Sequence, residues 1–220
     1  MNKTLFGLLI MAFIFSSAQC SNAQSAEQTK PMKKENIDLT KYETAYFASG
    51  CFWCVEAIFE SVEGVAEVIS GYSGGSASDA NYRDVSAGRT DHAEAVEVYY
   101  DPQIVDYNTL LKVFFGSHDA STLNRQGPDA GRQYRSAIFY KNNDEKNASD
   151  NYIKELLKDE VFDKVTTQVV PFEKFYPAED YHQNYEALNP NQPYVKAVSV
   201  PRLKKFQKKY PELLKKSMTH

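Results

Sequence analysis

Gly50-Cys51-Phe52-Trp53-Cys54 holds two thiols three residues apart. One such thiol can act as a nucleophile once ionised, and the other can close a disulfide on it. Residues 42–49 read as a strand and 51–62 as a helix, so Cys51 falls in the first helical turn. Its sulfur would there face unpaired N–H groups and the positive end of the helix dipole. Both features favour thiolate. Gly50 lets the chain turn sharply and leaves the sulfur accessible. Cys54 lies one turn further on, within reach for a disulfide after modest adjustment. Phe52 and Trp53 set two apolar rings beside the sulfur, suggesting a pocket for an apolar group such as a methyl. Other chemistry stays open on this motif alone. It fits a structural disulfide in an exported protein. It also fits thioredoxin-like exchange, although that chemistry usually has Gly-Pro between the cysteines. Zinc would need two more ligands, and the four histidines form no close H-x-x-x-H pair. A c-type haem needs His where this chain has Val55.

The second constellation is His92-Ala-Glu94-Ala-Val96-Glu97-Val98. In a strand, Glu94 shares a face with Val96, Val98 and Tyr100, opposite Ala93, Ala95, Glu97 and Tyr99. If the valines face the core, so does Glu94. A desolvated carboxyl can hold a proton near neutrality and serve as a general acid. At an exposed strand end it would instead be an ion-pair partner, and the pattern allows both. Tyrosines recur nearby: Tyr82 in one long loop, Tyr134 in the run Asn124 to Ser136, and more between Phe175 and Tyr185. Their hydroxyls can donate to a ligand oxygen or serve packing alone.

The elements that must position these groups follow from periodicity and breakers. Strands are expected at 42–49, 65–71, 93–100, 134–140 and 164–170. Helices are expected at 51–62, from an Asp106 cap through Leu110, Leu111, Phe114 and Phe115, and at 144–162. Glycine-rich residues 71–75 read as a turn. The order is β-α-β-β-α-β with an added α-β. It predicts an α+β fold, a ferredoxin-like split βαβ sandwich with a mixed sheet. Loops 76–92 and 118–133 are long enough to suggest function.

The chain has 220 residues, a net charge of −4, 42% hydrophobic and 13% aromatic residues. That suffices for one sizeable core and excludes a wholly disordered chain. Mild acidity gives no electrostatic footprint for nucleic acid. Three cysteines are too few for a disulfide scaffold. Lys3 followed by the apolar run Leu5–Phe15 reads as an export signal within residues 1–23, too short to span a bilayer. Two cuts are open. One falls after Ala23. The other falls before Cys20, which would then carry a lipid. Residues 24–41 read as a linker, 42–199 as the catalytic domain, and 200–220 as a basic C-terminal helix. That last stretch has seven Lys/Arg against one Glu, and is either a membrane-surface or partner helix or packed on the domain.

Five segments in order resemble peptide methionine sulfoxide reductase of the A type, which acts on the S epimer. They are Gly50-Cys-Phe-Trp, Gly71-Tyr-Ser-Gly-Gly75, His92 to Val98 with Tyr-Asp-Pro102, His118 through Ser136, and Tyr176 to Gln183. The resemblance implies that the Cys51 thiolate attacks a sulfoxide sulfur and Glu94 protonates its oxygen. Tyr82 and Tyr134 would hydrogen-bond that oxygen. Phe52 and Trp53 would hold the methyl group, and Asp129 would anchor the substrate main chain. It implies no metal or other cofactor, only an external thiol reductant such as thioredoxin. Many relatives have Gly at the Cys54 position and resolving cysteines in a C-terminal tail. This chain has no cysteine after 54, so Cys54 becomes the expected resolver unless Cys20 remains free and can reach. The expected substrates are oxidised proteins or free methionine sulfoxide, met by an exported monomer in the periplasm or envelope. Membrane contact would come only through a lipid on Cys20. Two other functions compete: disulfide exchange on other proteins, and a binding domain with a structural disulfide.

Overall fold

The computed structural model describes residues 37–216. The expected export segment with Cys20, and the linker up to residue 36, lie outside the described residues. The linker's end is a 3-10 turn, Leu39–Lys41, capped by the Asp38 side chain. The elements that follow are β1 (Glu43–Ser49), α1 (Phe52–Glu60), β2 (Val65–Ser73), α2 (Tyr82–Ser86), β3 (Ala93–Tyr100) and α3 (Tyr107–Ser117). A two-residue hairpin pair, β4 (Arg125–Gln126) and β5 (Asp129–Ala130), precedes β6 (Ser136–Tyr140) and α4 (Asn143–Lys158). The chain closes with β7 (Gln168–Pro171), β8 (Phe175–Pro177), α5 (Tyr185–Leu188) and α6 (Val200–Lys209).

Six strands form one sheet in the order β7-β6-β1-β3-β2-β8. Its centre, β6-β1-β3-β2, is antiparallel throughout and has the split βαβ connectivity. β7 joins β6 in parallel and β8 joins β2 antiparallel, which makes the sheet mixed. The fold is therefore α+β, as the element order implied. Alternation decides the two faces. Phe47, Val68, Val96 and Val98 point into the main core, where Val55, Ile58 and Phe59 of α1 and Leu110, Leu111 and Phe114 of α3 cover them. Tyr46, Ala48, Ala93, Ala95 and Phe139 point the other way into a thinner layer, closed by Val170, Phe172 and Phe175.

Some boundaries differ from expectation. Gly71 does not start a turn; β2 runs through it to Ser73. A Cβ there would lie 2.4 Å from the Tyr176 carbonyl oxygen, so the glycine admits the backbone of β8. Tyr134 ends a 3-10 turn, Arg132–Tyr134, rather than opening a strand. Gly131 at φ 141° sets up that turn. The first long loop contains α2, capped by Asn81, whose side chain accepts from Asp84 N. The basic C-terminal stretch is α6 followed by a 3-10 turn, Pro211–Leu213. A π-helical stretch, Val195–Ser199, runs directly into α6. Phe206 inserts into the core. Most of the α6 lysines stay exposed. Among the described residues no helix is long and apolar enough to cross a membrane.

Candidate active site

β1 and α1 meet at Gly50, whose φ of 93° lies in the left-handed region. A Cβ at Gly50 would sit 2.6 Å from Gln126 Cβ, so the second long loop closes over this turn. Cys51 is the N-cap of α1, and Cys54 N donates to the Cys51 carbonyl at 3.2 Å, one helical turn on. Both thiols are free and buried, Cys51 7% and Cys54 1% exposed. Glu94, at the start of β3, is 2% exposed. Its Oε2 accepts from Phe52 N at 3.0 Å. The first N–H of α1 therefore serves the carboxyl rather than the sulfur of Cys51.

That arrangement sets the charges. Burial pushes the Glu94 carboxyl up to about 8, and the charges of Asp129 and Cys54 add to the shift against the pull of Phe52 N–H. The acid is therefore protonated at neutral pH. Burial, the hydrogen bond to Cys54 and the Glu94 charge push the Cys51 thiol well up. The same hydrogen bond holds Cys54 below the usual thiol range, helped by the Arg202 charge and the Ser199 and Tyr194 hydroxyls. A lowered Cys51 was expected from the helix N-terminus alone. The two thiols are instead coupled, with Cys51 held up by burial and Cys54 held down by the bond between them.

The remaining groups converge on this pair. Tyr82 opens α2, and its N–H donates to Glu179 Oε1 at 3.1 Å. Its ring stacks on Phe52 at 6.4 Å. Burial raises Tyr82 to about 12, with the Glu94 and Cys51 charges contributing. Tyr134 is likewise raised by burial and then by Glu94, Asp129 and Cys51. Both phenols thus remain donors. Trp53 lies half-buried beside Phe52, its indole stacked on Tyr185 at 3.8 Å. Asp129 of β5 accepts from Tyr194 OH at 2.5 Å, and that hydroxyl is 3.9 Å from Cys54 Sγ. Cys51, Cys54, Phe52, Trp53, Tyr82, Glu94, Asp129 and Tyr134 are thus brought to one place from α1, α2, β3, β5 and the turn before β6.

Three contributors were not read from the sequence. Tyr194 precedes the π-helical stretch and links Asp129 to Cys54. Arg202 of α6 donates from Nε to Ser117 O at 2.8 Å and from Nη2 to Ser49 O at 3.0 Å. This brings a cation behind the cysteines, where it lines a cavity of about 740 Å³ together with Cys54, Asp129 and Tyr194. His182 accepts from the Trp53 indole. Arg202 was hidden in a stretch whose lysines carry no such role, and Tyr194 had no local signal. His182 stood within a quoted motif without a task. Among the described residues no group of three or more His, Cys, Asp or Glu is placed to hold a metal.

Comparison with known proteins agrees with this geometry. The family model "Peptide methionine sulfoxide reductase" matches residues 43–214. The chain is 51% identical over 175 residues to peptide methionine sulfoxide reductase MsrA 2 of Synechocystis, covering 79% of this chain and 82% of that protein. It is 47% identical to MsrA 1 of Rhodopirellula baltica, covering 80% and 91%. Among solved structures, reduced Mxr1 of Saccharomyces cerevisiae superposes with a TM-score of 0.64 at 32% identity, covering 71% of this chain and 90% of that one. Methionine sulfoxide reductase A of Corynebacterium diphtheriae gives 0.62 at 34% identity, covering 69% and 77%. The chain belongs to the peptide methionine sulfoxide reductase family, as an oxidoreductase with a Cys-Phe-Trp-Cys active-site segment.

Proposed function

We propose that the protein reduces the S epimer of methionine sulfoxide, free or within oxidised proteins, and recycles through a Cys51–Cys54 disulfide. The Cys51 proton moves to Cys54, leaving Cys51 as thiolate. That sulfur attacks the sulfoxide sulfur, and Glu94 gives its proton to the developing oxyanion, which the Tyr82 and Tyr134 hydroxyls hold. In the adduct the hydroxyl then migrates: a Cys51 S–O bond forms as the methionine S–O bond and the new S–S bond break, so methionine leaves and Cys51 is left as a sulfenic acid. Cys54 then displaces water, forming the disulfide. A thioredoxin-type dithiol returns two electrons and two protons by exchange. Phe52 and Trp53 hold the methyl group, and Asp129 anchors the substrate main chain.

The observation that carries this reading is Glu94. A carboxyl raised to about 8 by burial, one N–H away from the Cys51 helix, is a proton donor at neutral pH. A structural disulfide would have no use for it. The test is stoichiometric. Reduced protein mixed with excess S-sulfoxide and no reductant should release one methionine per chain and lose both thiols to a Cys51–Cys54 bond, seen by mass spectrometry. Methionine release with both thiols intact would contradict the resolving role of Cys54.

The reading extends to location and partners. The lysine-led apolar run at the N-terminus supports export to the periplasm or envelope, with either a soluble product or a lipid anchor on Cys20. The protein works as a monomer in this account, and its partners are oxidised proteins and the thiol donor.

A further inference from the structure

His182 lies in a 3-10 turn, Asp180–His182, between β8 and α5, and is 1% exposed. Its Nδ1 lies 3.1 Å from Trp53 Nε1. An indole nitrogen only donates, so Nδ1 is the acceptor and carries no proton. The neutral imidazole therefore has its proton on Nε2. That atom has no hydrogen-bond partner among the described residues. Glu179 Oε2 stands 4.0 Å away and already accepts from Tyr72 OH. The same ring packs on Tyr82 at 4.2 Å and on Phe52 at 5.1 Å. One imidazole thus touches both walls of the proposed methyl pocket and the tyrosine assigned to the sulfoxide oxygen. Tyr185 covers the indole face, but a stack leaves the ring free to slide and rotate in its plane. The N–H bond to His182 removes that freedom.

We propose that neutral His182 is the positioning residue of the methyl pocket: it grips the Trp53 indole through Nδ1 and releases it when Nδ1 takes a proton. The idea rests on Phe52 and Trp53 being that pocket. Protonation would set N–H against N–H, replacing a hydrogen bond with a repulsion in a poorly hydrated place. The groups facing the ring come from four elements. Phe52 and Trp53 of α1 are uncharged. Tyr82 of α2, Tyr181 of its own turn and Tyr185 of α5 are phenols. Glu179, at the start of its turn, is the one carboxylate among them and favours the charged ring. Burial outweighs Glu179, so His182 stays below the ordinary histidine value. The pocket is therefore whole at neutral pH and loosens in acid.

Trp53 is the only tryptophan, so its emission reads the indole directly. In the wild type, emission should change in a single transition below about pH 6.5, and KM for the sulfoxide should rise about fivefold through it. His182→Asn places an oxygen near the Nδ1 position with no proton to take; its emission and KM should be flat over the same range. His182→Phe keeps a packed ring but removes the acceptor, so its KM should be about fivefold higher at every pH while kcat changes less. Far-UV circular dichroism shows where each variant stays folded. Three results would overturn the proposal: emission constant in the folded wild type, a transition that survives in His182→Asn, or a wild-type KM in His182→Phe. A wild type that turns over no sulfoxide yet shows the His182-dependent transition would instead sink the functional reading and leave the grip on Trp53 standing.

Discussion

Glu94 is held uncharged by burial, and chemistry and stability both depend on its proton. For chemistry, the acid must be protonated, so the reductive step should slow as pH rises through about 8. The thiol pair must carry a charge, and Cys54, held to about 6, sets the rising limb. A bell between these values is the expected profile of single-turnover rates, read as properties of the interacting groups together. Glu94→Gln should lose the descending limb and slow the step by about 100-fold or more. A variant with the wild-type rate and profile would remove Glu94 from the acid role. For stability the pH trend runs the same way, although the substitution acts in the other direction. The folded carboxyl binds its proton up to about 8, against 4.5 for its ordinary value. Its contribution is fully present below the lower value and lost as pH rises through the upper one. Glu94→Gln should therefore be more stable than wild type at about pH 9, by a few kcal/mol in urea unfolding. Cys54→Ser tests a separate step. It should complete one round of reduction and then stall with thioredoxin, leaving Cys51 as a sulfenic acid that a dimedone probe can trap.

At the scale of elements, the site depends on one junction and one distant helix. Gly50 sits where any side chain would meet both a positive φ and Gln126. Gly50→Ala should cost about 2 kcal/mol or more and lower activity beyond the loss of folded protein, because it moves Cys51. α6 holds the other side: Phe206 fills the core, while Arg202 ties Ser49 and Ser117 together. Phe206→Ala should destabilise by about 3–5 kcal/mol, measured as a shift in the urea midpoint at constant slope. The sequence made the split βαβ core readable, since its strands and helices carry clear periods of two and 3.6. Phe52, Val55, Phe59 and Val62 marked α1 in this way. It left β8, α2 and α5 unread because three to five residues hold too little periodicity to count. The motif residues could be named, but not their couplings. The Phe52 N–H that serves Glu94 instead of Cys51 is a contact between residues 42 positions apart, and the Arg202 contact with Ser49 spans 153. Only a folded chain displays such pairs.

The whole molecule joins a buried redox pair to a mild negative charge and a basic C-terminal helix. Export, as proposed, would place Cys51 and Cys54 in a compartment that drives them toward their disulfide, and would call for a dedicated donor there. Removal of the segment before Gln24 would leave a soluble product, and removal before Cys20 a lipidated one. Mass spectrometry of the mature N-terminus distinguishes them, and an unprocessed Met1 would contradict export by this route. The central claim concerns what the pair attacks. It is tested most directly by steady-state turnover of the separated S and R epimers of methionine sulfoxide with a thioredoxin system as donor. The account predicts turnover of the S epimer, abolished in Cys51→Ser, and none of the R epimer. Turnover of the R epimer alone, or of neither, would contradict it.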